Sequence, residues 1–240
     1  MARIRMAVLE LVGYREWTEA IGDDREWRLQ IVQSTLYSSL QQVIADYGGF
    51  ILPLRYDYMA VAASNVSDEG LKRLYDKARE ISPVPVRLAA SCGSTPVEAM
   101  ENAWTRIKEG EEFVLDECGD NEIVVAGHFD LNGITVMTRR LGLLTTYNTV
   151  LHVISEIETR AHYRGAVAQY LGGDNILVLL PFTGFKSIVE ELVVVHDLKA
   201  GVGIAPTARE ALKHAAKALH DIRTGKAGDR IRVEGAHYET

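Results

Sequence analysis

The chain has 240 residues, of which 47% are hydrophobic and 25% charged. At ~150 residues per domain this is one large domain or two small ones, and the composition excludes both a disulfide mini-protein and a disordered chain. A net charge of -7, with 33 acidic against 26 basic residues and no long basic run, argues against polymeric nucleic acid as a partner. It leaves room for a small anionic ligand, because a bound divalent cation supplies positive charge locally. No apolar run approaches the ~20 residues of a membrane helix, and the first residues lack a signal-peptide cleavage pattern, so a cytoplasmic protein with no membrane partner is expected. Cys92 and Cys118 show no C-x-x-C spacing and no neighbouring histidine cluster, and are expected to be inert thiols.

In chain order, the residues predict a strand at Ile4–Leu11 and a helix over 24–47, whose apolar positions Leu29, Ile31, Val32, Leu36, Leu40, Val43 and Ile44 recur near a 3.6 period. Strands over 50–54 and 59–63 flank Arg55, Tyr56, Asp57 and Tyr58 as a hairpin. A helix over 67–81 opens on Ser67-Asp68-Glu69, and a strand at 86–90 precedes a helix that opens at Thr95-Pro96. The second half repeats the order. A strand at 123–130 leads into a long helix through Val150, Leu151, Ile154 and Ile157, which starts close to Asn132 to Thr135. Strands at 167–171 and 176–180 flank Gly172-Gly173-Asp174-Asn175, and a helix near 185–195, a strand at 199–204 and a helix from Thr207 follow.

Local sequences support a duplication. Ser94 to Ala99 resembles Pro206 to Ala211, and Tyr47-Gly48-Gly49 echoes Tyr163-Arg164-Gly165. The expected fold class is α+β: two tandem ferredoxin-like units of palm type, βαββαβ, occupying 1–115 and 116–240, each an antiparallel sheet with helices on one face. The Glu-, Asp- and Gly-rich stretch 110–121 is the natural joint.

Chemistry concentrates in the second unit. Asp130 stands where an apolar strand gives way to a polar turn, and free N–H groups at the start of the next helix, around Asn132, Gly133 and Ile134, suit a phosphate. The glycines Gly172 and Gly173 permit positive φ and close approach, with Asp174 at the tip and Asn175 beside it. Asp130 and Asp174 on adjacent strands form an oxygen-donor pair suited to Mg2+ or Mn2+ shared with substrate phosphates. On its own, Gly-Gly-Asp-Asn is also an ordinary hairpin turn. His128, two residues before Asp130, shares its strand face; it either activates water or is a satisfied core histidine.

The pairing of Phe129-Asp130-Leu131-Asn132 with Gly172-Gly173-Asp174-Asn175, followed by Lys199 to Ala205 and the helix 215–225, resembles the palm-type domain of nucleotidyl cyclases and GGDEF diguanylate cyclases. The whole chain, through Tyr14, Trp17-Thr18, Leu36-Tyr37 and Tyr56-Asp57 as well, resembles the archaeal GTP cyclohydrolase III family. That resemblance implies Mg2+-dependent hydrolysis of GTP, with K+ as an activating ion. The imidazole ring opens without release of formate and two phosphates leave, giving 2-amino-5-formylamino-6-(5-phosphoribosylamino)pyrimidin-4(3H)-one for riboflavin or deazaflavin-coenzyme synthesis. It also implies Asp130, Asp174 and the Leu131 carbonyl as metal ligands, the backbone of Asn132 to Ile134 as phosphate cradle, and Arg223, with Lys199 as a second candidate, as phosphate-binding cations. The residues do not by themselves distinguish guanine from adenine, because contact of the base with side chains such as Asn132, Asn148 or Gln169 depends on geometry.

The first unit aligns Val12 with Asp130 and Arg55-Tyr56-Asp57-Tyr58 with the Gly-Gly-Asp-Asn turn, so its metal site is expected to be degenerate unless Glu10 substitutes. The alternatives are a nucleotidyl or dinucleotide cyclase, which uses the same carboxylates, and a catalytically silent GTP-binding module. Exposed sheet edges point to a homo-oligomer.

Overall fold

The computed structural model describes residues 2–226 and 228–235. They divide into two compact units, one holding residues 3–94 and 98–122 and the other residues 95–97 and those from 123 onward. The first contains β1 (Ile4–Leu11), α1 (Tyr14–Ala20), α2 (Glu26–Asp46), β2 (Phe50–Leu52), β3 (Tyr58–Ala62), α3 (Asp68–Ile81), β4 (Val86–Gly93), α4 (Pro96–Lys108) and β5 (Phe113–Leu115). The second contains β6 (Val124–Leu131), α5 (Ile134–Leu141), α6 (Leu143–Tyr163), β7 (Val167–Gly172), β8 (Asn175–Leu180), α7 (Phe185–His196), β9 (Leu198–Ala205), α8 (Ala208–Arg223) and β10 (Ile231–Gly235). This is a mixed α+β protein with two five-stranded sheets, ordered β2-β3-β1-β4-β5 and β10-β9-β6-β8-β7. The central strands β1 and β6 are antiparallel to both neighbours, and the edge strands β5 and β10 run parallel to β4 and β9.

Helix α2 buries Leu29, Leu36, Leu40 and Ile44, a stripe at spacings of 3.6-residue turns, and α3 adds Leu71, Leu74 and Ala78. Both pack on Leu9, Leu11, Met59 and Val61 of the sheet. Ser67 caps α3 by accepting from the Gly70 N–H at 3.2 Å. In the second unit, Val150, Ile154 and Ile157 of α6 and Phe185, Ile188 and Leu192 of α7 close over Val125, Phe129, Ile176 and Val178. Each fully buried side chain of this size stabilises by roughly 1.5–3 kcal/mol, an upper figure because unfolded chains are already partly collapsed.

Helices were expected on one face only, but each unit carries its last helix on the other. Ala103 and Ile107 of α4 pack on Val8 and Ala89. The reason is that β1 and β4 are apolar at successive positions, so both sheet faces demand cover. Against β9, α8 comes closer still: a Cβ at Gly201 or Gly203 would collide with the backbone carbonyl oxygens of Ala215 or Ala211.

Other departures are local. The long helix predicted after Asp130 breaks at Gly142 (φ 88°, ψ 164°) into α5 and α6. Strands β5 and β10 were not foreseen; their parallel pairing makes each sheet mixed where an antiparallel one was expected, and β5 lies within the stretch read as a joint. Cys92 and Cys118 are not free thiols but a disulfide, with Cα atoms 5.7 Å apart. Sequence spacing hid this because the parallel pairing of Leu88 to Ala90 with Phe113 to Leu115 is what carries the two chain segments forward side by side. Arg106 pairs with Asp116 at 3.1 Å and Arg5 donates to the Asp116 carbonyl, tying down the same stretch. Among the described residues no helix is long and apolar enough to cross a membrane.

Candidate active site

The end of β6 is held between two strands. Asp130 stands opposite Asn175 in the β6–β8 ladder and opposite Lys199 in the β6–β9 ladder, and the Leu131 N–H donates to the Asp174 carbonyl at 3.1 Å. Gly172 (φ 104°) and Gly173 (φ 64°) both adopt left-handed backbone, which is why the turn between β7 and β8 requires glycine. The fold thus brings Asp130, Leu131, Asp174, Asn175 and Lys199 to one sheet end.

A network joins these groups. The Asp130 side chain is only 8% exposed, and Arg223, the last residue of α8, covers it: Nε donates to Oδ2 at 3.1 Å and Nη2 donates to Oδ1. Arg223 Nη2 also donates to Asn175 Oδ1 at 3.3 Å, and Asn175 Nδ2 donates to Asp174 Oδ1 at 2.9 Å. His128 Nε2 lies 3.0 Å from Asn175 Oδ1. Hydrogen bonding to Asp130 holds the Arg223 guanidinium protonated beyond its ordinary range. Burial pushes His128 below its ordinary 6.5, with the Asn175 contact opposing and the Arg223 charge reinforcing, so the ring is neutral at neutral pH.

Gly133 (φ 74°) is the N-cap of α5 and no side chain caps it. The first intrahelical bond runs from the Met137 N–H to the Gly133 carbonyl, which leaves the N–H groups of Ile134 and Thr135 without helical acceptors. The Asn132 side chain turns elsewhere, donating to the Asp197 carbonyl at 2.6 Å. Beside Ile134 and Thr135 a cavity of 410 Å³ opens between α5, α6 and the hairpin, lined by Thr138, Leu143, Thr146, Tyr147, Val150, Tyr170, Gly173 and Asp174. It is large enough for a heterocyclic base.

None of the residues suggested for base contact lines this cavity. Gln169 Nε2 donates to the Tyr170 carbonyl, Asn148 is exposed on α6, and Asn132 is committed to Asp197. Sequence reading missed Thr138, Thr146, Tyr147 and Tyr170. The one signal was Tyr170 just ahead of the paired glycines; the helical positions become neighbours of the hairpin only through the break at Gly142.

The first unit's register corrects the alignment of Val12. Leu11 N–H donates to the Asp57 carbonyl at 2.8 Å, as Leu131 does to Asp174, and Gly13 (φ 72°) caps α1 as Gly133 caps α5. Glu10, not Val12, is therefore the counterpart of Asp130, with Tyr58 and Arg87 opposite it where Asn175 and Lys199 flank Asp130.

An α+β protein of two five-stranded sheets, with an acidic strand end beside a base-sized cavity in one of them, is the class that fold and site define. The chain belongs to the GTP cyclohydrolase III family, whose model matches residues 6–235. A GTP cyclohydrolase III of Aeropyrum pernix is 47% identical over 92% of this chain and 92% of its own length. One of Pyrobaculum calidifontis is 34% identical over 92% of this chain and 95% of its own. Among solved structures, a GGDEF domain from Pseudomonas aeruginosa aligns with a TM-score of 0.42 at 17% identity, covering 46% of this chain and 76% of that one.

Proposed function

We propose that this chain is a GTP cyclohydrolase that opens the guanine imidazole ring while retaining the formyl group, and that removes the two outer phosphates. Membership of the family named for GTP supports the substrate class. The observation that carries the site is the convergence of Asp130, Asp174, the free N–H groups of α5 and a base-sized cavity at one sheet end. The cavity would take the purine between the apolar walls of Leu143 and Val150, with Tyr147 and Tyr170 beside it. The N–H groups of Gly133, Ile134 and Thr135 would cradle phosphate oxygens, with Gly172 and Gly173 leaving room for them.

The donors here fit a hard divalent ion: two carboxylates and the Leu131 carbonyl are all oxygen, and too few for a closed cage, so phosphate oxygens and water complete the set. Mg2+ or Mn2+ bound there supplies Lewis-acid polarisation of the phosphates. K+ belongs to the same proposal as an activating ion. Arg223 and Lys199, both beside Asp130, would neutralise the triphosphate. His128 is neutral and its Nε2 engages Asn175, so in this reading it acts by holding Asn175 in place. Ring opening consumes one water at the imidazole carbon, and each phosphate removed consumes one more.

The two units' matching strand order and register support an origin by duplication. Val136, Leu141, Leu143 and Leu144 are more than half exposed on α5 and α6, which supports a homo-oligomer; a monomer by light scattering would count against it. The product would enter riboflavin or deazaflavin-coenzyme synthesis. Incubation of purified protein with GTP and Mg2+, followed by product mass and a phosphate count, tests the reaction. A formylaminopyrimidine monophosphate with two phosphates is expected. Cyclic nucleotide with pyrophosphate would instead mean a cyclase, and unchanged GTP a binding module.

A further inference from the structure

We propose that Arg223 is a resident counter-cation of Asp130 which must leave that carboxylate before a metal ion can use it, so that metal and triphosphate bind together and metal alone binds poorly. The proposal rests on the metal-triphosphate reading of the site. Both oxygens of Asp130 are engaged by the guanidinium, Oδ2 at 3.1 Å from Nε and Oδ1 by Nη2. With the Asp130 side chain 8% exposed, solvent offers little alternative neutralisation. A divalent ion on the same oxygens would stand a few ångströms from a permanent positive charge in a partly buried setting, where repulsion is weakly screened.

Arg223 is well placed to move. It is the last residue of α8, its side chain is 42% exposed, and Gly225 follows in left-handed backbone at φ 72°. A triphosphate offers the guanidinium a bidentate acceptor of higher charge than a single carboxylate. Asn175 registers the exchange, because its Oδ1 accepts from Arg223 while its Nδ2 donates to Asp174. Withdrawal of the guanidinium thus frees one carboxylate and loosens the contact beside the other.

The test reads Mn2+ binding by electron paramagnetic resonance, with the metal alone and then with a GTP analogue that resists hydrolysis between the β and γ phosphates. Wild type, Arg223→Gln, Arg223→Lys and Asp130→Asn are compared, with Arg223→Met in reserve should the glutamine variant lose its fold. Without nucleotide, Arg223→Gln should bind Mn2+ about tenfold or more tighter than wild type, and Arg223→Lys should stay near wild type because it keeps the charge. With nucleotide, the glutamine variant should bind the Mn2+ complex about tenfold more weakly than wild type. Equal Mn2+ affinity of wild type and Arg223→Gln without nucleotide would overturn the exchange, provided Asp130→Asn abolishes the nucleotide-dependent binding. If Asp130→Asn leaves that binding intact, the site reading itself fails and takes the exchange with it.

Discussion

The two sheet ends hold the same pattern of acids with different company. Glu10 and Asp57 occupy the register positions of Asp130 and Asp174, yet Glu10 accepts from the Tyr58 hydroxyl at 2.9 Å and from Arg87 at 3.5 Å, while Asp57 is paired with Arg55 at 2.8 Å. Those partners stand on the strands and hairpin of the same sheet. In the second unit Asp130 is covered from the free end of a helix, and a neutral amide takes the place of Tyr58. The turn differs too: Tyr56 holds left-handed backbone (φ 65°) where Gly173 holds it without a side chain. If Asp130 and Asp174 hold a cation as proposed, carboxylates in matching register do not by themselves distinguish the two sheet ends; the differences lie in the Tyr58 hydroxyl and Arg87 held on Glu10 and in the Tyr56 side chain at the turn.

Four measurements sharpen or break this contrast. The largest stability effect belongs to the first unit, which holds both cysteines. A disulfide spanning 26 residues restricts the unfolded chain by roughly 3 kcal/mol, so reduction should lower the melting temperature by about 10 °C. The Cys92→Ser/Cys118→Ser double variant should match the reduced protein and ignore reductant. Two free thiols in the denatured, unreduced chain, with no melting shift, would show that the staple does not form.

Next comes the contact of α8 with β9. The first unit has Ala89 and Ser91 at the register positions of Gly201 and Gly203. Gly203→Ser should destabilise by about 1–3 kcal/mol in chemical denaturation, because the helix backbone lies where the new side chain must go. An unchanged midpoint would mean that α8 can slide off without cost.

The smallest effect is a pH slope. His128 replaces the Val8 of the first unit and its pKa is depressed by burial, so between the ordinary 6.5 and the lower folded value the unfolded chain binds a proton that the fold does not. Stability is full above 6.5 and falls as pH drops through the folded value. His196, also depressed by burial, adds to the slope. His128→Val should flatten part of it, and an unaltered slope would show that His128 is not the group responsible.

Much of the element order was readable because buried strands and amphipathic helices announce themselves by period, and the Ser67 cap was legible as local chemistry. Asp130, Asp174 and the paired glycines were legible for the same reason, being strand-end and turn residues. The Arg223–Asp130 pair spans 93 residues and was reached as a phosphate ligand, not as the cover of a carboxylate. The disulfide, the Glu10 register and the cavity wall around Thr138 and Thr146 depend on which segments lie side by side, and no local pattern encodes that.

The most direct test of the central claim, that the second unit alone carries the catalytic cation site, is GTP turnover in matched variants whose fold is checked by circular dichroism. Asp130→Asn and Asp174→Asn should each cut kcat by about a thousandfold or more, while Glu10→Gln and Asp57→Asn should stay within about tenfold of wild type. Equal losses from both pairs, with folds intact, would contradict the claim and place a working metal site in the first unit as well.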